Sequence, residues 1–183
     1  MRVIPGTVLV GGKVKIIGFL GGSSLVELGP VSDVVLFFDC VRAFTDWKYP
    51  DRDWSLLTDR LYQRYIRLED LDVDCSLMKE VEKLFSELPS TSVTWDPAML
   101  NDKNKTWLEP GALTLAQVFN RYFDAFFRCA ESSKVNYEGF KDYPGYKYEA
   151  VRTVVADMPI FMTEKKRPLE EYDALEGEPL WRR

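Results

Sequence analysis

Between Phe119 and Phe127, five aromatic side chains (Phe119, Tyr122, Phe123, Phe126 and Phe127) recur at the spacing of one helical face. Leu115, Val118 and Ala130 extend the same stripe. Burying a large apolar side chain is worth ~1.5–3 kcal/mol, so so many rings on one face must be covered by a sheet or by other helices. The start of this helix is written locally. Thr114 with Gln117 three residues later fits a capping box, and Leu113 is placed to staple against Val118. A helix from Thr114 to Glu131 with Phe123 well buried is therefore predicted.

What covers it follows from the order of the remaining blocks. Thr7–Val10 and Lys13–Ile17 flank Gly11-Gly12, a turn composition that permits positive φ at both central positions. Phe19-Leu20 runs into Gly21-Gly22, and Ser24–Leu28 makes a third short strand. A phosphate-cradling loop over Gly18–Ser24 would need a Gly-Lys-Ser/Thr core that is missing, so hairpin turns are the reading adopted. After Gly29-Pro30, Val34, Val35, Phe37, Phe38, Val41 and Phe44 predict a helix apolar on most sides. A second helix is expected to carry Leu57, Leu61 and Tyr65. A third carries Leu77, Met78, Val81, Leu84, Phe85 and Leu88 and stops before Pro89. A short strand with Val93 and Trp95 on one face follows, then a polar loop from Asp96 to Pro110. Strands are expected near Lys147–Val155 and Ile160–Thr163.

Blocks in this order predict one α+β domain over residues 1–163, an antiparallel sheet made of an N-terminal meander and C-terminal strands, packed with about four helices. Residues 164–183 read as a charged strap or tail. With 46% hydrophobic residues the chain has ample material for a core.

The same sequence contains no histidine. That removes Ser-His-Asp and Cys-His catalysis and every histidine-containing metal site. Cys40, Cys75 and Cys129 are odd in number and far apart, so they are expected to be reduced and mostly buried, with no zinc or redox motif. The densest acidic run is Glu69, Asp70, Asp72 and Asp74. It resembles alternate oxygen ligands of a calcium loop, but the required glycine and glutamate are absent. Helix capping by Asp74 and a solvated acidic surface explain it more simply. The expectation is a binding protein and no enzyme, with no metal and no cofactor.

The net charge of −5 argues against a direct nucleic-acid partner and favours a basic one, and Lys165-Lys166-Arg167 is too short for a nucleic-acid track. Pro5 and Gly6 break the N-terminus before a signal-peptide stretch can form, and no segment reaches the ~20 apolar residues of a membrane span. The expected compartment is the cytoplasm.

An ordered set of residues resembles a known family. Phe37-Phe38 stands in an apolar helix and Leu61-Tyr62 in a second. The leucine-rich helix ending at Leu88 comes next, followed by Val93-Thr94-Trp95-Asp96, Trp107 after a polar loop, and the aromatic helix from Leu115. Across residues 30 to 130 this is similar to small immunity proteins of bacterial polymorphic-toxin systems, of the kind paired with contact-dependent growth inhibition toxins. The resemblance implies a non-enzymatic antidote. It would bind a cognate toxin domain, often a nuclease and in some cases a tRNA-cleaving one, as a monomer in a 1:1 complex. It would block the active site or a substrate surface. An adaptor or phage-encoded inhibitor is the alternative reading, and a histidine-independent enzyme the third.

Two surfaces compete as the partner-binding site. The first is the acidic-aromatic segment Asp46, Trp47, Tyr49, Asp51, Asp53 and Trp54; the second is the run Glu69, Asp70, Asp72 and Asp74. The first is the expected anchor, because large rings beside carboxylates combine apolar area with charge complementarity. The second is expected to steer encounter.

Overall fold

The computed structural model describes residues 14–97, 105–157 and 160–183. The expected strand at Thr7–Val10 and its Gly11-Gly12 turn lie outside them. Strand β1 (Ile16–Gly21) and strand β2 (Ser24–Pro30) form an antiparallel hairpin in which Gly21 pairs with Ser24 across a two-residue turn. Ile16-Ile17 and Phe19-Leu20 lie in this one strand, with a register shift between Ile17 and Gly18. Gly22 has φ +58, and a Cβ there would lie 2.3 Å from the Ser132 carbonyl oxygen. The turn therefore needs glycine both for its conformation and for the approach of the helix above it.

Helix α1 (Val31–Lys48) follows Pro30 directly. A π-helix over Leu56–Leu61 leads into the short strand β3 (Tyr65–Arg67). Tyr65, expected on a helical face with Leu57 and Leu61, sits on that strand instead. Its hydroxyl donates to the Asp173 carboxylate at 3.0 Å. Helix α2 (Leu71–Glu87) ends before Pro89. The stretch Val93–Trp95 is not a strand of the sheet. Ser90–Ser92 coils into a single 3-10 turn, and Trp95 Nε1 donates to the Ser90 carbonyl at 3.1 Å. Pro89 makes an isolated antiparallel bridge with Thr114, and Val93 also stands at a bridge.

The capping box forms as the sequence predicts: Thr114 Oγ1 accepts from the Gln117 amide and Gln117 reaches back to the Thr114 amide. The staple does not form, because Leu113 is 80% exposed while Val118 is buried. The capped helix α3 covers only Leu115–Val118. The chain breaks at Phe119 (φ −102, ψ 17) and restarts as α4 (Asn120–Phe140), ending beyond Glu131. The break lets the Phe119 ring sit against Phe37, Phe85 and Tyr122, with ring centroids 5.4, 5.9 and 5.7 Å away. Tertiary packing overrides helical continuity at that residue.

Strand β4 (Glu149–Val155) completes a four-stranded antiparallel sheet in the order β2-β1-β4-β3. Helix α4 lies across β1, β2 and β4. Phe37 of α1 stacks on Tyr122 at 4.5 Å and meets Phe123 edge-on at 5.8 Å, joining α1 to α4 in one aromatic core. Phe85 of α2 meets Phe123 at 5.9 Å. Phe123 is fully buried, as expected.

Residues 160–163, expected as a strand, belong instead to helix α5 (Ile160–Lys165), whose Phe161 packs with Leu20 and Val154. Helix α6 (Leu169–Asp173) and the last residues form a strap fixed by buried rings. Tyr172 lies edge-on to Tyr65 at 6.2 Å, and Trp181 Nε1 donates to the Tyr62 carbonyl at 2.8 Å. The whole is a single α+β domain.

Candidate partner-binding surface

Helix α1 ends because Tyr49 precedes Pro50, which disfavours helical backbone at the residue before it. The last turn thus projects Trp47, 53% exposed, beside Asp46, Lys48 and the partly exposed Tyr49. The chain then turns back. Asp53 Oδ1 accepts from the Ser55 amide at 2.8 Å, and this bonding to Ser55 holds the Asp53 carboxyl below its ordinary range. Asp51 and Asp53 are both exposed.

Trp54 behaves differently. It is 4% exposed, so it forms the floor of this shelf and not its contact surface. Tyr49 stands over it at 6.0 Å, and the Arg52 guanidinium lies 4.9 Å from its ring centre. Arg52 is in turn held by both oxygens of Glu80 on α2. A planar fork stacked on a ring and paired bidentately is well oriented. The result is an exposed ring, Trp47, with Lys48 Nζ 5.8 Å from its centre, in a segment of exposed carboxylates next to a base clamped to α2.

The acidic run is dispersed by the fold. Glu69 lies 3.7 Å from Arg67, and Asp72 is paired with Lys134 of α4 at 2.7 Å. The Lys134 ammonium lowers the Asp72 carboxyl. Asp70 stands at the helix start without a side-chain cap bond. Asp74 does not cap anything. It is fully buried in the first turn of α2, and neither oxygen has a hydrogen-bond partner among the described residues. Burial, reinforced by the Asp70 charge, pushes its carboxyl up to about 8. At neutral pH it is mostly protonated and adds little to the surface field. The sequence held a signal for this: Asp74 sits three residues after Leu71 and three and four before Leu77 and Met78, on the buried stripe.

Two further groups were missed by sequence reasoning. Asp33, fully buried at the start of α1, accepts from the Thr106 hydroxyl at 2.9 Å and the Trp107 amide at 2.7 Å. Burial outweighs these bonds and raises its carboxyl to about 6. It anchors the Thr106–Leu108 stretch against α1. The second group is Tyr137, Phe140, Tyr143, Tyr146 and Tyr148, at the end of α4 and in the turn to β4. Their rings contact one another, with Tyr146 5.3 Å from Tyr148, and Tyr143 is 66% exposed. Five aromatics within twelve residues around Pro144-Gly145 were the available signal.

Cys40 and Cys129 are buried, Cys75 is partly buried, and all three are free. Burial pushes all three thiols up, away from the thiolate a nucleophile needs. Among the described residues no three acidic or cysteine side chains come together in a way that could hold a metal ion, and no helix is long and apolar enough to cross a membrane. No family model, curated protein or solved structure matches the chain.

Proposed function

We propose that this chain is an immunity protein: a non-enzymatic, cytoplasmic antidote that binds a cognate basic toxin domain, a nuclease by preference, and covers its active site or substrate surface. The observation that carries the reading is the exposed Trp47 in a segment whose three aspartates, Asp46, Asp51 and Asp53, are all exposed beside a clamped base. A nuclease must be cationic where phosphates bind. An acidic face can occupy that surface, with charge speeding the encounter and desolvated rings supplying affinity. A phage-encoded inhibitor or adaptor would use the same face, so the identity of the partner separates the readings.

The experiment is co-expression with the product of the reading frame immediately upstream. The expected result is a stable 1:1 complex and relief of that product's growth inhibition. A growth-inhibitory neighbour that this chain neither binds nor relieves would remove the proposal.

A further inference from the structure

Arg60 on the π-helix and Arg64, three residues beyond its end, are linked by a 2.8 Å bond from the Arg64 amide to the Arg60 carbonyl and flank a concave site of about 290 Å³, whose other walls are Ser55, Asp59 and Gln63. Neither guanidinium has an ion-pair partner among the described residues, although two cations at this spacing repel each other. Arg60 Nη1 and Arg64 Nε are buried and have no acceptor among the described residues. Buried donors left unpaired are rare and costly, and π-helical turns in proteins occur frequently at functional sites.

The C-terminal strap helps to hold these walls in place. Gln63 Nε2 donates to the Gly177 carbonyl at 2.7 Å, and Arg64 Nη2 to the Leu175 carbonyl at 3.4 Å. The site is therefore framed by two segments more than a hundred residues apart, with Arg64 tied to the strap.

We propose that this site binds a single phosphate group. Two guanidinium forks approaching one cavity suit a ligand with several acceptor oxygens, and phosphate offers more than a carboxylate does. Asp59 in the lining opposes further negative charge, so a polyphosphate fits less well than one phosphate. This inference does not rest on the proposed toxin partner, although Ser55 of the site bonds Asp53 of that surface.

The test is titration of the full chain with inorganic phosphate at constant ionic strength, followed by amide NMR and by calorimetry. Saturable shifts concentrated at Ser55, Asp59 to Arg64, Leu175 and Gly177 are expected. Arg60→Gln and Arg64→Gln should each weaken binding by about tenfold or more, the loss of one charge-assisted pair. Arg121→Gln, in a separate surface groove on α4, should leave it unchanged. A parallel titration with methyl phosphate separates the sources: tighter binding assigns the site to a phosphate ester, weaker binding to free phosphate. Absence of saturation, shifts centred on Arg121 and Arg128, or acetate binding as tightly as phosphate would overturn the proposal. The wild-type shift map decides the matter even if a glutamine variant fails to fold.

Discussion

Two acidic segments of similar charge in the sequence become physically unlike in the fold. From Asp46 to Trp54 the three aspartates stay exposed, and the one basic residue that packs on the segment's floor, Arg52, is committed to Glu80. From Glu69 to Asp74 one carboxyl is buried and largely neutral, a second is paired with Lys134 and a third lies near Arg67. Carboxylate count along a chain is thus a poor measure of surface field. What matters is which face of the helix each residue occupies and whether a cation from another element reaches it.

The largest expected effect tests the frame that holds the two segments apart. Phe123 contacts Phe37 of α1, the helix that ends at the first segment, and Phe85 of α2, the helix that carries the second. Phe123→Ala should cost ~3–5 kcal/mol in urea-induced unfolding, because the ring is fully buried among side chains that cannot all collapse into the space. A cost near zero would mean that α4 is not the hinge of the core.

How far the fold could be read depends on how local its causes are. The Thr114–Gln117 capping box and the Gly-rich hairpin were legible because the interacting atoms lie within a few residues. The break at Phe119 was not, since its cause is a pocket made by Phe37 and Phe85 from two distant helices. Ile160–Thr163 reads as a strand because a short apolar run has the same composition in a buried strand or a helical turn, and packing of Phe161 on Val154 in the helix Ile160–Lys165 decides it. In the candidate surface, the exposed aspartates and Trp47 were legible. The burial of Trp54 and Asp74 was not given equal weight, although both sit at the spacing of neighbouring apolar residues.

Asp74 sharpens the contrast through pH. Its folded-state carboxyl holds the proton more tightly than the unfolded chain does, whose ordinary value is 3.8. Stability from this group is therefore fully present below 3.8 and is lost as pH rises towards about 8. The loss amounts to about 1.4 kcal/mol per pH unit within that window. Asp74→Asn should flatten the dependence between pH 6 and 8, measured as urea midpoints across a pH series. A remaining slope at lower pH belongs to Asp33, Asp39 and Glu149, whose carboxyls burial also raises. An unchanged profile in the variant would place the Asp74 carboxylate in contact with water or a cation.

The smallest effects separate the segments by kinetics. Asp51 and Asp53 are exposed in the same segment as Trp47 and would be desolvated in a complex that covers it. Reversing both to lysine should weaken toxin binding mainly through faster dissociation, since a buried charge would then face the wrong partner. Reversing Asp70 and Asp72 should leave dissociation nearly unchanged and slow association, more strongly at low salt, because their influence reaches the partner only through solvent. The size of that slowing is limited in advance. Asp72 is already paired with Lys134, so a lysine there removes a local pair as well as reversing a charge, and Asp70 alone acts as an uncompensated steering group. Surface ion pairs of this kind contribute ~0–1 kcal/mol, so the folded state should tolerate the change. If the two double variants slow association equally and leave dissociation alike, both segments lie outside the contact. The aromatic group from Tyr137 to Tyr148 then becomes the next surface to substitute, with Tyr143 first, as its ring is the most exposed of the five.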